Sequence, residues 1–271
     1  MDVTRYRQRY EAELAQAAAE GGPASVQPED LADRVPRLLS TLRDGEEPPA
    51  ARMAALQALG ALDFLGPRFA PFRADYNQAL RDVATDPQRA LRESALELLA
   101  IDRDPYAQDL LWRGLQRPKE AMVSDAKAIQ FLGYDDHAEL VPLARQIFER
   151  SRGAAREEAL RVLATDPKSE KLLTRLLKDK SEKSSIRRIS ASGLQSLNPE
   201  AFEKAARRIV ADDSDYDAIR AASLVALAHG REAGEKPVDP RFVETLEKLR
   251  ESTRSPAMRS SIRRFMRSTQ T

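Results

Sequence analysis

The chain of 271 residues is 42% hydrophobic but only 6% aromatic, and 32% of its residues are charged. Alanine and leucine therefore carry the apolar content, which favours helices packed through small side chains, and no β-branched run of alternating polarity offers a sheet anything to build on. The absence of cysteine excludes disulfides, thiolate metal sites and cysteine nucleophiles, and a net charge of +1 gives no global pull toward nucleic acid.

The first stretch, "MDVTRYRQRYEAEL", lacks the apolar core of a signal peptide, and no apolar run approaches the roughly 20 residues of a membrane span. A cytoplasmic protein without membrane insertion is the expectation. Residues 3–20 read as a helix with Tyr6, Tyr10, Leu14 and Ala17 along one side, closed by "EGGP". Residues 1–22 are accordingly expected to form an N-terminal capping helix, and residues 23–271 a repeat domain.

From "DLADRVPRLLSTL" onward the chain reads as helix pairs. This first stretch sets Leu31, Val35, Leu38, Leu39 and Leu42 on one side. A second helix follows in which Arg52 opens a pattern: apolar or small residues three, six and seven places later, here Ala55, Ala58 and Leu59. Offsets of this kind mark one face of a helix. The pattern returns from Arg92, Asp125, Arg156, Arg187, Arg220 and Arg259, at steps of 31 to 40 residues. Between these origins lie further apolar first helices, such as the one with Tyr76, Leu80 and Val83 and the one with Phe202, Ala206, Ile209 and Val210. Asp104-Pro105, Asp166-Pro167, Asn198-Pro199, Asp239-Pro240 and Ser255-Pro256 each place a capping side chain before a proline. The cap satisfies free amides, and proline at the first helical position loses no hydrogen bond. A helix pair repeated at this period implies a stacked array, because one pair cannot bury its apolar face alone.

The segment "VPRLLSTLRDGEEPPAARMAALQALGAL", residues 35–62, resembles a HEAT repeat. Pro36 stands in the first helix, and Arg52, Ala55, Ala58, Leu59 and Gly60 form the second-helix pattern. "ELVPLARQIFERSRGAAREEALRVLA", from Glu139, repeats it with Pro142 and Arg156. The resemblance spans residues 28–271 and implies an all-α fold, a right-handed α-solenoid of about seven HEAT-like helix pairs. It further implies that first helices line the convex side, that second helices line the concave side, and that acid–arginine pairs join units. Asp86 with Arg92 fits that pairing and Glu46 with Arg52 fits in part, while Asp125 interrupts it.

Few residues suggest chemistry. His137 lies in "YDDHAEL", which reads as a charged loop with acids at a helix start. His229 precedes Gly230 at a helix end, where both belong for backbone reasons. The His-Glu pairs of metal-binding helical-repeat hydroxylases are absent, "AEGGPAS" lacks the strand and lysine of a phosphate loop, and the serines of "SEKSS" have no nearby histidine. Trp112 and Asp109 share a helix face, as in helical-repeat DNA glycosylases, but sit on a first helix. No cofactor and no metal site are expected.

Charge is uneven. Residues 1–150 hold 19 Lys and Arg against 25 Asp and Glu, and residues 151–271 hold 25 against 18. On the second helices Glu93, Glu97, Glu157 and Glu158 point outward in the middle, giving way to Arg187, Arg188, Arg263 and Arg264. The expectation is a scaffold or adaptor, not an enzyme, that binds a protein partner on its concave face. Its binding residues would be Glu93, Glu97, Glu157, Glu158, Arg188, Arg263 and Arg264. The alternative is a nucleic-acid-binding HEAT-like protein related to DNA glycosylases that uses the basic C-terminal units.

Overall fold

Several helices begin where the chain offers a capping side chain or a proline. The computed structural model describes residues 28–135, 139–232 and 239–268. Among them are fourteen α-helices, four short 3-10 turns and no strand. The chain divides into two compact units, residues 1–136 and 137–271. In the first, α1 (Pro28–Arg43) pairs with α2 (Pro49–Asp63), α3 (Arg73–Val83) with α4 (Arg89–Ile101), and α5 (Pro105–Gln116) with α6 (Asp125–Leu132). In the second, α7 (Leu140–Arg150) pairs with α8 (Ala154–Leu163), α9 (Glu170–Lys178) with α10 (Ser184–Leu197), α11 (Pro199–Ala211) with α12 (Asp217–Glu232), and α13 (Pro240–Ser252) with α14 (Pro256–Arg267). Within each unit successive pairs stack in the manner of an α-solenoid. The all-α class and the seven pairs agree with the sequence; the helix expected over residues 1–22 lies outside the described residues.

The caps work as their chemistry requires. Asp104 accepts from the Tyr106 and Ala107 amides, Asn198 from Ala201, Asp239 from Arg241 and Ser255 from Met258, each with proline at the first helical position. Asp166-Pro167 differs: it opens a 3-10 turn, and α9 starts only at Glu170. In the second helices the residues three and seven places past the origin are buried, Met266 excepted, as with Ala95 and Leu99 of α4, both fully enclosed. The place six residues on, which the sequence pattern assigned to the core, is buried at Phe131, Gly193 and Phe265 and half-buried at Ala58, Leu98, Val162 and Ala226. The fourth place takes its role, through Leu56, Leu96, Ile129, Leu160 and Leu224.

Consecutive pairs are joined by buried arginines. Arg52 Nε donates to the Leu42 carbonyl at 3.0 Å, Arg187 Nε to Leu177 at 3.0 Å and Arg220 Nε to Val210 at 3.2 Å. Each acceptor lies ten residues back, in the last turn of the preceding first helix, where carbonyls lack helical partners and the dipole attracts cations. In Arg52 and Arg187 the rest of the guanidinium reaches the next pair, as Arg156 also does. Arg52 meets Asp86 at 2.6 Å, Arg187 grips both Asp215 oxygens at 2.6 Å each, and Arg156 grips both Glu182 oxygens at 2.8 and 2.6 Å. These acids stand just before the following second helix. Arg92 has no acid there and donates to the Met122 carbonyl at 2.6 Å.

Two pairings read from the sequence are thereby corrected. Asp86 offers its carboxylate to Arg52 of the preceding pair, while Arg92 takes only the Asp86 backbone carbonyl. Glu46 does not pair with Arg52; its amide donates to Asp44 instead. The joint runs forward, from the arginine of one pair to the acid of the next.

The Arg187–Asp215 joint is 0% and 2% exposed. Burial works to raise the Asp215 carboxyl, but hydrogen bonds from Arg187 and the Tyr216 amide, with the Arg187 charge, outweigh it and hold Asp215 below the usual carboxylate range. Asp215→Ala, which strands the guanidinium, is expected to cost about 3–5 kcal/mol in urea unfolding at neutral pH, and Arg187→Met with Asp215→Leu to recover most of it. Because the folded pKa is depressed, the carboxylate's contribution is present above its unfolded value of about 3.9 and is lost as pH falls through the lower folded value. The gap between wild type and Asp215→Asn should therefore close on acidification. A single variant as stable as wild type at neutral pH would refute the joint.

Packing between α8 and α10 is equally specific. A Cβ on Gly193 would stand 2.6 Å from Ala164 Cβ and 3.1 Å from its Cα. Gly193→Ala is expected to cost about 1–3 kcal/mol, as overpacking generally does, and Ala164→Gly added to it should return part of the loss in the same unfolding measurement.

Candidate functional site

The outward side of the second helices is where the sequence placed its binding residues, and the four acids there are already engaged. Glu93 on α4 accepts from Arg89 at 2.7 Å and from Lys127 of α6 at 2.6 Å. Glu97 accepts from the Tyr134 hydroxyl at 3.3 Å. In the second unit Glu157 accepts from the Ser185 hydroxyl of α10 at 2.7 Å, and Glu158 from Arg161 at 3.3 Å. Burial works to raise the Glu93 carboxyl, but the hydrogen bonds and charges of Lys127 and Arg89 outweigh it and hold the group low. Glu93, Glu97 and Glu157 thus tie one pair to the next. The signal was available in the sequence as a donor one repeat downstream of each acid.

The three arginines behave differently from one another. Arg188 on α10 is exposed and meets no partner among the described residues. Arg264 on α14 contacts His229 Nε2 of α12 at 2.9 Å; since guanidinium only donates, that nitrogen is the acceptor. Arg263 is exposed at the fourth place after its origin, where Leu56, Leu96, Ile129, Leu160 and Leu224 are buried. Glu93 and Glu97 belong to the first unit, and Glu157, Glu158, Arg188, Arg263 and Arg264 to the second.

A groove of about 160 Å³ lies between α10 and α12, with Leu177, Arg188, Ala191, Ile219, Ala222 and Ala226 among its lining residues. Its origin is local. Ala191 holds the fourth place after Arg187, the place of a leucine or isoleucine in five other pairs. The shorter side chain leaves room between the second helices. The sequence pattern, read through offsets three, six and seven, passed over this position.

A wider recess of about 540 Å³ lies between residues 151–153 and 181–183. Gly153 turns there at φ 62° and ψ −139°, a region open essentially to glycine. Arg152, Arg156 and Lys183 line it against Glu149, Glu157 and Glu182, so its formal charges cancel. Elsewhere, Trp112 is half-buried and Asp109 pairs with Arg113 at 2.8 Å. His137 lies outside the described residues. Among the described residues no group of three or more His, Asp or Glu side chains is placed to hold a metal ion.

No protein-family model matches the chain, and no curated relative is found. A similar solved structure is human deoxyhypusine hydroxylase in complex with glycerol, at 15% identity and a TM-score of 0.38, covering 88% of this chain and 96% of that one. That protein is an enzyme. The finding corrects the expectation of a non-catalytic scaffold and the exclusion of enzyme activity. At this TM-score the likeness assigns no activity, substrate or residue role to the present chain.

Replacing Lys127 by methionine removes one of the two donors that offset the burial of Glu93. A carboxyl-selective NMR titration is expected to find the Glu93 pKa raised in Lys127→Met relative to wild type, and the stability it contributes at neutral pH reduced. An unmoved titration would mean that Lys127 does not hold Glu93.

Proposed function

We propose that the chain recognises an acidic protein, as partner or as substrate, through the second-helix surface of residues 137–271, and that its helix pairs are HEAT-like units. The observation that carries the reading is Arg188, an exposed guanidinium with no partner among the described residues, beside an apolar groove. A cation left open among second helices whose acids are already engaged favours a ligand of opposite charge. The excess of 25 Lys and Arg over 18 Asp and Glu in residues 151–271 adds long-range attraction of the same sign. No helix among the described residues is long and apolar enough to cross a membrane. A phosphate-rich ligand is less well served, because the groove is floored by aliphatic side chains and offers no aromatic ring for base stacking.

The test uses polyglutamate, polylysine and a single-stranded oligonucleotide as probes of the whole chain, near 0.15 M salt, where charges are screened beyond roughly 8 Å. Polyglutamate is expected to bind, to weaken as salt rises, and to lose at least tenfold in affinity when Arg188 and Arg264 are both changed to glutamate. Polylysine should not bind. Equal polyglutamate binding by the charge-reversed variant, or tighter binding of the oligonucleotide, would overturn the reading.

A further inference from the structure

We infer that the groove between α10 and α12 is a pocket for one large apolar side chain of an acidic protein segment, whose neighbouring carboxylate is held by Arg188 and Ser223. Three features converge on this occupant, and the inference rests on the acidic-protein reading above. The first is size. A cavity of about 150 Å³ lined by apolar side chains accepts a benzene-sized group, and this groove measures about 160 Å³. Its apolar walls come from Leu177 and Ala191 on one side and from Ile219, Ala222 and Ala226 on the other. One leucine or phenylalanine fills it; a longer apolar stretch does not fit.

The second feature is charge. Arg188 lines the groove itself and has no carboxylate among the described residues to satisfy it. Its neighbour Arg187 also reaches the lining, yet that guanidinium is consumed by Asp215 and the Leu177 carbonyl. One arginine therefore serves the fold and the next stands open. An apolar anchor followed by a carboxylate satisfies both parts of the site at once.

The third is a polar atom without a use in the fold. Ser223 is 4% exposed, lines the groove, and its hydroxyl meets no hydrogen-bond partner among the described residues. As a donor it complements the same carboxylate that Arg188 attracts. The walls exclude a purely ionic ligand, and the two donors exclude a purely apolar one.

Two labelled peptides decide the matter by fluorescence anisotropy against the whole chain. One is glutamate-rich with a single central phenylalanine, and its twin has alanine in that place. The phenylalanine peptide is expected to bind wild type at least tenfold more tightly than the twin. Ala191→Leu gives α10 the residue that other pairs carry at this place, so it fills the groove with a side chain the fold already accommodates. It should abolish the difference between the peptides, and Ala222→Leu, at an exposed position, serves as an independent block if that variant unfolds. Arg188→Glu should weaken both peptides, and Ser223→Ala should weaken both by a few fold. Equal binding of the two peptides to wild type, or a difference that survives both leucine variants, would overturn the pocket. Should the peptides bind equally and still respond to Arg188→Glu, the pocket falls and acidic recognition stands. If neither binds, both fall. Displacement of the peptide by a lower concentration of oligonucleotide would reassign the site to nucleic acid.

Discussion

A buried guanidinium that must find acceptors on two sides is the constraint on which each unit depends. An apolar helix pair has no means of choosing how far along its neighbour it slides, since aliphatic contacts are nearly indifferent to small shifts. Arg187 removes that freedom. Its Nε is committed to the Leu177 carbonyl within its own pair and its two terminal nitrogens to Asp215 in the next. Removing an ion pair from water costs several kcal/mol per ion unless every lone pair and proton is satisfied, so any slippage that lengthens one bond is opposed by the cost of stranding a charge. Arg52 with Asp86 and Arg156 with Glu182 impose the same condition elsewhere. Where the acid is missing, Arg92 meets a backbone carbonyl and Arg220 turns back to Asp217 at the start of its own helix, at 3.1 Å.

Much of the architecture was legible because it is local. A period of 3.6 residues, a cap before a proline and the recurrence of an arginine report helix boundaries without any knowledge of what packs on what. The joints were less legible for the converse reason. Asp86 is six residues from Arg92 and 34 from Arg52, and chain proximity favoured the wrong partner. Only the stacking direction brings Asp86 to Arg52. The Asp166-Pro167 turn shows the limit of local signals as well: a good cap guaranteed a helical turn, while the α-helix waited for Glu170.

The surface was harder still. Charges counted along a helix say nothing of whether they are spent, and Glu93, Glu97, Glu157 and Glu158 all proved to be engaged within the chain. An arginine count likewise could not distinguish Arg187, wholly enclosed, from Arg188, its exposed neighbour. The groove escaped because it arises from a residue that is unremarkable by itself. Alanine at position 191 is informative only against the leucines and isoleucine that hold the same place in other pairs. The step from repeated helices to the absence of catalysis failed for a more general reason, since architecture constrains surfaces and leaves chemistry to particular side chains.

Arg187 and Ala191 stand one helical turn apart on α10, and the distance between their roles matters more than the distance between their atoms. The first is answerable to the neighbouring pair and cannot change alone; the second is answerable to nothing inside the molecule except the space it leaves. A chain built this way can alter what it grips by exchanging one aliphatic side chain for another, pair by pair, while the stitching that keeps its helices in step goes undisturbed. On the proposed reading of the groove, cohesion and selectivity are written on the same helix in separate places, so that either can be revised without erasing the other.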